Sequence, residues 1–319
     1  MKPGRFPGFL FMKGEIFVDD QYTARMVKKD GHAKILYTVC GLFIIVLTVA
    51  IGAFLIYKGS GTFVTAHHSV FEFLFSSKWE PLDSVGKYGG KVGALVYIAG
   101  SLMTCGLALV FAIPFAVGTA VYLAEINPKF GEKFIRPAAE IYVGIPSVVY
   151  GWVGLTILVP FIRDVFHAKM GGFSVLAASI VLAVMIFPTI TTVAADAIQA
   201  VPQSYREAAY GMGSTRWQVI RHVVLPAAFG GIATGVILGL ARAIGEALAV
   251  AMVIGKTRSF PQNILSPTNN LTAAIAADMG NTANGGEHNM ALWSMALLLY
   301  IISTILIFII HRMSHKKED

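Results

Sequence analysis

The chain contains apolar runs that are long enough to cross a membrane, and no other sequence feature limits its fold as strongly. About 20 apolar residues span the roughly 30 Å hydrocarbon core of a bilayer as a helix. Backbone groups in lipid must be hydrogen-bonded within the chain, which leaves helices or a closed barrel. Continuous runs are unlike barrel strands, which alternate over about 10 residues. We therefore predict an all-α integral membrane protein with about six transmembrane helices, at 35–57, 92–123, 134–162, 174–193, 229–254 and 291–311.

The distribution of basic residues predicts the orientation. The net charge of +7 at pH 7 does not indicate a nucleic-acid partner, because Lys and Arg fall in the short segments between the apolar runs. The side that holds both termini carries 16 of them and the other side carries 8, with Arg242 inside a span. Cytoplasmic segments are richer in Lys and Arg. We therefore expect both termini in the cytoplasm and membrane lipid around the spans.

This orientation divides the chain into successive parts. Only 13% of the residues are charged, against about 25% in soluble domains, so no large soluble domain is expected. The parts are a cytoplasmic arm 1–34, a first transmembrane helix 35–57, an extracytoplasmic loop 58–91, a core membrane domain 92–311 with a cytoplasmic segment 200–226, and a cytoplasmic tail 312–319.

The cysteines and histidines do not predict a metal site or a disulfide framework. Cys40 and Cys105 both lie inside apolar runs, where they are typical small core residues. His67 and His68 are adjacent, and His311 is followed four residues later by another histidine, but neither pair has Cys or carboxylate neighbours in sequence. A metal ion needs more ligands than either pair supplies.

The tripeptide at Gly255 is not a nucleotide site. Gly255-Lys256-Thr257 resembles the end of a phosphate-cradling loop, but such a loop needs glycine at position 250, where Val250 stands. The chain also lacks a cluster of nucleophile, base and metal ligands. We therefore expect neither a catalytic site nor a bound cofactor in this chain.

The cytoplasmic segment between the fourth and fifth spans predicts two short helices joined by a glycine turn. Pro202 suits a first helical turn and Gly213 suits a helix end. Ser214 or Thr215 can cap a second helix, which Pro226 would close. An amphipathic loop that rests on the lipid headgroups has the same features. Residue chemistry alone leaves both interpretations open.

This segment resembles the cytoplasmic signature loop of ABC importer permeases. The matching residues are Glu207-Ala208-Ala209, Gly213 and Leu225-Pro226, while Val223 replaces the usual isoleucine. In that family the loop forms coupling helices that fit a groove on the ATP-hydrolysing subunit. The resemblance therefore implies that the chain docks on a cytoplasmic ATPase through this loop.

Two further stretches narrow the resemblance. The stretches from Glu140 to Gly151 and from Ala241 to Gly255 are similar to the C-type permease subunit of bacterial phosphate-specific transporters. The similarity runs over 93–312, although Ala247 replaces a common threonine. It implies ATP-driven import of inorganic phosphate across the bacterial plasma (inner) membrane. The implied partners are a homologous second permease, two cytoplasmic ATPase subunits that bind ATP and Mg, and an extracytoplasmic phosphate-binding protein.

Arg242 and Glu246 are the candidate residues of the substrate pathway. A charged residue inside a span costs at least about 2.5 kcal/mol and is a functional candidate by default. Helical spacing places both on one face with the small residues Gly231, Gly235 and Gly239, which let helices approach closely. The two charges either form a structural ion pair that joins helices or line an anion pathway, and the resemblance favours the pathway.

Ser147 is a further candidate because it follows Pro146 in the third span. Its hydroxyl would either face the pathway or satisfy a backbone group freed by the proline. The function itself has alternatives: a permease for sulfate, molybdate or phosphonate, or a membrane sensor or scaffold that uses the signature loop only for docking.

Overall fold

A computed structural model describes residues 9–12, 15–18, 20–82, 84–168 and 170–315 of the chain, with side chains for 34–82, 84–168 and 170–308. The described residues form sixteen α-helices and four short strands. In chain order the helices are α1 Asp20–Gly59, α2 Gly61–Val64, α3 Val70–Phe75, α4 Leu95–Val121, α5 Pro128–Phe130, α6 Arg136–Gly144, α7 Ser147–Val153, α8 Val159–Phe166, α9 Val175–Gln199, α10 Gln203–Gly211, α11 Arg216–Val219, α12 Leu225–Ala227, α13 Phe229–Gly245, α14 Leu248–Val253, α15 Leu271–Asp278 and α16 Glu287–His315. The strands are β1 Phe9–Met12, β2 Glu15–Val18, β3 Trp79–Glu80 and β4 Lys91–Val92.

The chain divides into two compact units, 1–54 and 55–319. In the first unit, β1 and β2 form an antiparallel hairpin with Phe9 opposite Val18, and α1 begins at Asp20. The predicted arm 1–34 therefore contains a hairpin and the first turns of a helix, with residues 1–8, 13–14 and 19 outside the described residues. From Ile35 onward, most apolar side chains of α1 are exposed, as expected of a helix that faces lipid.

The described residues confirm the predicted all-helical membrane class. Five helices are long and apolar enough to cross a membrane, and one bent pair raises the number of spans to as many as six. The five are Lys34–Val64, Leu95–Ile126, Ser147–Phe166, Met170–Gln199 and Glu287–Phe308, and the bent pair is Arg216–Ala227 with Phe229–Gly245, which meet at 68°.

The third predicted span, 134–162, is not one continuous helix and breaks at Pro146. α6 ends at Gly144, Ile145 is extended with φ −69° and ψ 129°, and α7 begins only after Pro146. Proline has no N–H group and disfavours helical backbone in the residue before it, so the helix stops there. The apolar span begins after this break.

The fifth predicted span, 229–254, is also interrupted. α13 ends at Gly245, Glu246 is extended with φ −75° and ψ 121°, and α14 begins at Leu248. By contrast, α4 and α9 continue through Pro114 and Pro188. α9 ends at Gln199, six residues beyond the predicted end.

The second unit has three apolar clusters, one in the centre of the helices and one toward each of their ends. A central core contains buried residues of α4, α8, α9, α13 and α14. A second cluster joins the ends of α4 and α9 to the segment 200–226, through residues such as Ile198, Val201 and Val219. A loop-side cluster joins the loops 58–91 and 256–290, through residues such as Phe73, Trp79 and Leu271. The segments that we predict on one side of the membrane thus pack with each other.

A buried carboxylate joins the loop 58–91 to the start of α16. Glu287, the first residue of α16, is 0% exposed and accepts N–H hydrogen bonds from Leu82 at 2.8 Å, from Gly89 at 2.8 Å and from Gly90. Its Oε1 lies 2.7 Å from Nε2 of His68. His68 therefore has a carboxylate partner that its neighbours in sequence did not reveal, because 219 residues separate His68 from Glu287. We call this group the Glu287 clasp.

Candidate functional site

The glycine face of α13 packs against α9. Gly231 lies against Ala197, Gly235 against Val193, and Gly239 so close to Ile190 that an added Cβ would stand 2.7 Å from its Cγ1. Glycine lets two helices approach within this distance because it has no side chain. This packing fixes the position of the end of α13 relative to the middle of α9.

Arg242 lies in the last turn of α13 and is half-buried. Its Nη1 donates a hydrogen bond of 3.3 Å to Oγ1 of Thr189, one residue after Pro188 on α9. A cation is favourable at a helix C-terminus, where unpaired carbonyl groups point. Thr189 was not predicted from the sequence, although its position after a proline in an apolar run is a detectable signal.

Glu246 lies in the break between α13 and α14, and not on the helical face that carries Arg242. Its Oε1 accepts a hydrogen bond of 3.0 Å from the N–H of Ala249, and its carbonyl accepts one of 2.8 Å from the Thr272 hydroxyl on α15. The prediction of one shared helical face is therefore wrong for Glu246, because the helix ends at Gly245. Within the described side chains, Arg242 and Glu246 form no ion pair.

Ser147 begins α7 directly after the break at Pro146 and is half-buried. Its hydroxyl makes no hydrogen bond to the described residues. The break is instead bridged by the Tyr150 hydroxyl, which donates a hydrogen bond of 2.7 Å to the carbonyl of Tyr142. Gly151 of α7 packs against Ala249 of α14. The second parts of the two broken spans therefore lie side by side.

The segment 200–226 contains the two short helices that its sequence predicts. Gly213 joins them with a left-handed φ of +80°, a backbone conformation that favours glycine. Thr215 caps α11 in a reciprocal capping box with Gln218. Pro226 does not close the second helix, because the helical backbone continues to Ala227 before the 68° bend.

The coupling segment, as we call 200–226, presents apolar side chains to the surface. Glu207 and Ala208 are exposed and Ala209 is buried, while Leu225 is half-buried and Pro226 is exposed. Large exposed side chains surround them, with Met212 at 82%. A cleft of about 490 Å³ lies beside them, lined by Ala209, Met212, Gly213, Ser214, Gln218, His222 and Val223. An apolar surface with a polar rim is typical of a site for a protein partner.

The chain also matches the model of a known family. The family model described as "Binding-protein-dependent transport system inner membrane component" matches residues 112–318, and the chain belongs to this family. It is thus a multi-pass permease of the bacterial inner membrane and a non-catalytic membrane component of an ABC transporter. A permease of this class works with ATPase and substrate-binding partners.

Individual relatives cover nearly the whole chain. The "Probable ABC transporter permease protein YqgH" of Bacillus subtilis (strain 168) is 45% identical over 289 residues, which cover 91% of this chain and 92% of the relative. The "Phosphate transport system permease protein PstC" of Pasteurella multocida (strain Pm70) is 34% identical over 84% of this chain and 86% of the relative. The chain is therefore PstC-like.

Solved structures agree on the fold. A permease chain in the crystal structure of a bacterial ABC transporter involved in import of the acidic polysaccharide alginate superposes with a TM-score of 0.59. The two sequences are 15% identical, and the match covers 92% of this chain and 100% of that chain. An inward-facing structure of the MetNI methionine ABC transporter has a TM-score of 0.52 and 21% identity, over 69% and 95% of the two chains. At these identities the likeness concerns the fold alone.

Proposed function

We propose that this chain carries inorganic phosphate into the cell as the C-type permease subunit of an ABC importer. One observation supports this most directly: Arg242 is a half-buried guanidinium at the end of a broken span, with a neutral hydroxyl as its partner. An anion that enters a low-dielectric region needs a cation to offset its desolvation. The planar fork of arginine can donate two parallel hydrogen bonds to an oxyanion.

Glu246 supplies the second element of the proposed site. A carboxylate near the passing anion can accept a hydrogen bond from a protonated oxygen of phosphate, which sulfate lacks at neutral pH. Glu246 now caps α14, so its contact with the anion requires exchange of the Ala249 hydrogen bond. Ser147 offers a hydroxyl that has no partner among the described residues. These three side chains form the substrate pathway that we propose.

The proposed complex contains a homologous second permease, two ATPase subunits that hold ATP and Mg on the cytoplasmic side, and an extracytoplasmic phosphate-binding protein. The ATPase would dock on the coupling segment, and the binding protein on the loops 58–91 and 256–290. The curated relatives that are named for phosphate transport support this choice of substrate. In this proposal both termini lie in the cytoplasm, as the basic residues predict. They belong to the arm 1–34 and the tail 312–319, on either side of a chain that includes the core permease domain 92–311.

Uptake of radiolabelled phosphate by the reconstituted complex tests the proposal. We expect ATP-dependent uptake that excess unlabelled phosphate abolishes and that sulfate, molybdate or phosphonate leaves nearly unchanged. Arg242→Gln should abolish uptake while the complex still assembles. Arg163→Gln is the matched control, because Arg163 is exposed and pairs with its neighbour Asp164. Equal competition by sulfate, or normal uptake by Arg242→Gln, would refute the proposal.

A further inference from the structure

A buried ion pair lies behind the coupling segment. Arg206 of α10 donates hydrogen bonds from Nε at 3.0 Å and from Nη2 at 2.6 Å to Oε1 of Glu125. The two side chains are 12% and 9% exposed, which sets them apart from the exposed pair of Arg136 and Asp196. An ion pair removed from water is screened much less than a surface pair, so its loss has a larger effect.

The same guanidinium also contacts the end of α9. Arg206 donates to the carbonyl of Ile198 at 2.9 Å and to the carbonyl of Val201. Carbonyl groups at a helix C-terminus have no partner within the helix and favour a cation. One side chain of α10 therefore joins the coupling segment to α9 and, through Glu125, to the π-helical turn Tyr122–Ile126 that ends α4.

A second arginine reaches this turn from the other half of the coupling segment. Arg216 of α11 donates to the carbonyls of Glu125 and Ile126. Both short helices of the segment are thus anchored to one turn. π-Helical turns are rare and occur frequently at functional sites.

α9 connects this anchor to the proposed pathway. Thr189, which accepts the hydrogen bond from Arg242, lies on α9 ten residues before Gln199, or about 15 Å along the helix. A helix is a rigid element that can carry a displacement from one end to the other. A shift of the coupling segment that pulls on Ile198 would therefore reach the acceptor of Arg242.

We propose that Arg206 and Glu125 are positioning residues that make the coupling segment move as one body with the inner ends of α4 and α9. This inference rests on the proposed function, because it assigns the pair to the step that couples ATP hydrolysis to transport. It differs from a contribution to stability alone. A pair that only stabilised the fold would reduce the amount of assembled complex and leave the transport per ATP of the assembled fraction unchanged.

The test measures phosphate uptake, basal ATP hydrolysis and its stimulation by the loaded phosphate-binding protein, all on purified complex with its ATPase subunits. We expect Arg206→Gln to assemble and keep its basal hydrolysis but to lose at least about tenfold of both transport per ATP and stimulation, because the charged hydrogen bonds that join α10 to Glu125 and to the end of α9 are lost. Arg206→Lys, which keeps the charge and loses the fork, should recover part of the loss.

Two control variants separate coupling from general charge effects. Arg163→Gln removes an exposed arginine of α8 that pairs with Asp164, and Arg136→Gln removes an exposed arginine of α6 that pairs with Asp196 of α9. Both should match the unmodified complex. Unchanged transport per ATP and unchanged stimulation in Arg206→Gln would overturn the proposal, and so would an equal loss in Arg136→Gln.

Glu125→Gln decides the question where Arg206→Gln does not assemble. It keeps the size of the side chain and an acceptor oxygen and removes only the charge, so we expect a smaller, severalfold loss of stimulation. Stimulation equal to that of the unmodified complex would then refute the coupling role. If the unmodified complex hydrolyses ATP but imports no phosphate, the proposed substrate is wrong. In that case, stimulation of ATP hydrolysis by the binding protein added outside the vesicles still tests the pair of Arg206 and Glu125.

Discussion

At the scale of single residues, Arg242 and Glu246 have different hydrogen-bond partners, although only four positions separate them in sequence. Arg242 projects from the end of α13 toward a hydroxyl, whereas Glu246 closes the start of α14. A helix-joining ion pair would need direct contact between them, and the described side chains make none. The two residues should therefore respond differently to substitution.

Thr189 is expected to orient Arg242. Thr189→Val keeps the shape of the side chain and removes the acceptor oxygen, which should lower phosphate uptake by about tenfold or more, the range of one hydrogen bond to a charged group. Thr192→Val is the matched control, because Thr192 lies on the same helix and its hydroxyl donates to the carbonyl of Pro188. Initial uptake rates at equal amounts of complex measure the effect. Equal rates in both variants would exclude this role.

Two substitutions of Glu246 should separate its contribution to stability from its role in transport. Glu246→Gln keeps an acceptor for the Ala249 N–H, so we expect normal thermal stability with lower uptake and weaker rejection of sulfate at the pore. Glu246→Ala removes the acceptor as well and should cost about 1 kcal/mol of stability. Thermal unfolding and anion uptake, in a system where the pore itself is sampled, measure the two effects. A Gln variant with full uptake and selectivity would contradict the pathway role.

Exchange of the two charges gives a further contrast. Arg242→Glu combined with Glu246→Arg would preserve a simple ion pair if the two residues formed one. The structure predicts no recovery of uptake, because an arginine at 246 cannot accept the hydrogen bond from Ala249. Full recovery, measured as phosphate uptake, would favour the structural pair.

The sequence identified Arg242 because a charge inside an apolar run stands out. It could not place Glu246, because the assumption of 100° per residue fails where a helix ends. The helix ends at Gly245, and the Glu246 carbonyl accepts a hydrogen bond from Thr272 on α15, 26 residues away. Thr189 was missed because its position after Pro188 does not identify its partner, Arg242, which depends on how α9 and α13 pack.

At the scale of helices, three prolines inside apolar runs have different effects. α4 and α9 continue through Pro114 and Pro188, whereas the backbone leaves the helix at Pro146. The existence of each apolar helix could be predicted from its length and composition. Proline alone does not predict a break, because two of the three prolines stay inside a helix, and the break at Glu246 has no proline beside it.

The contact between α9 and α13 depends on Gly231. Gly231→Ala places a methyl group against the Cβ of Ala197, which is fixed to its backbone, so the helices must separate. We expect a loss of about 1–3 kcal/mol of stability. Gly230→Ala, at a neighbouring position with open space, should instead be neutral or stabilising. Thermal unfolding of the two purified variants gives the comparison, and equal shifts would contradict the close packing.

The turn between the two short helices of the coupling segment requires Gly213. Gly213→Pro forces φ to about −65°, against the +80° of the turn, and should uncouple ATP hydrolysis from uptake without loss of the membrane fold. Glu207→Lys should uncouple as well, because Glu207 is exposed on the docking surface. Gly211→Ala is the control, since open space surrounds Gly211. Normal uptake per ATP in Gly213→Pro would count against a coupling role.

At the scale of the whole molecule, the predicted orientation can be tested directly. Gly213 and Asn281 are both exposed, and the basic residues place them on opposite sides of the membrane. Single cysteines at these positions, in a chain with Cys40 and Cys105 replaced by serine, should react with an impermeant thiol reagent from opposite faces of sealed cells. Reaction of both from outside would overturn the six-helix topology.

The Glu287 clasp sets an order of events during synthesis. Leu82 and its acceptor on Glu287 are 205 residues apart, so the ribosome completes most of the chain before the carboxylate exists. Until then the N–H groups of the nascent loop have water as their only partner for this site. Chains that stop short of Glu287 would reach the membrane with this loop open to proteases and to the quality-control machinery that removes incomplete proteins. The loop 58–91 thus gains these hydrogen bonds only after α16 has begun to form.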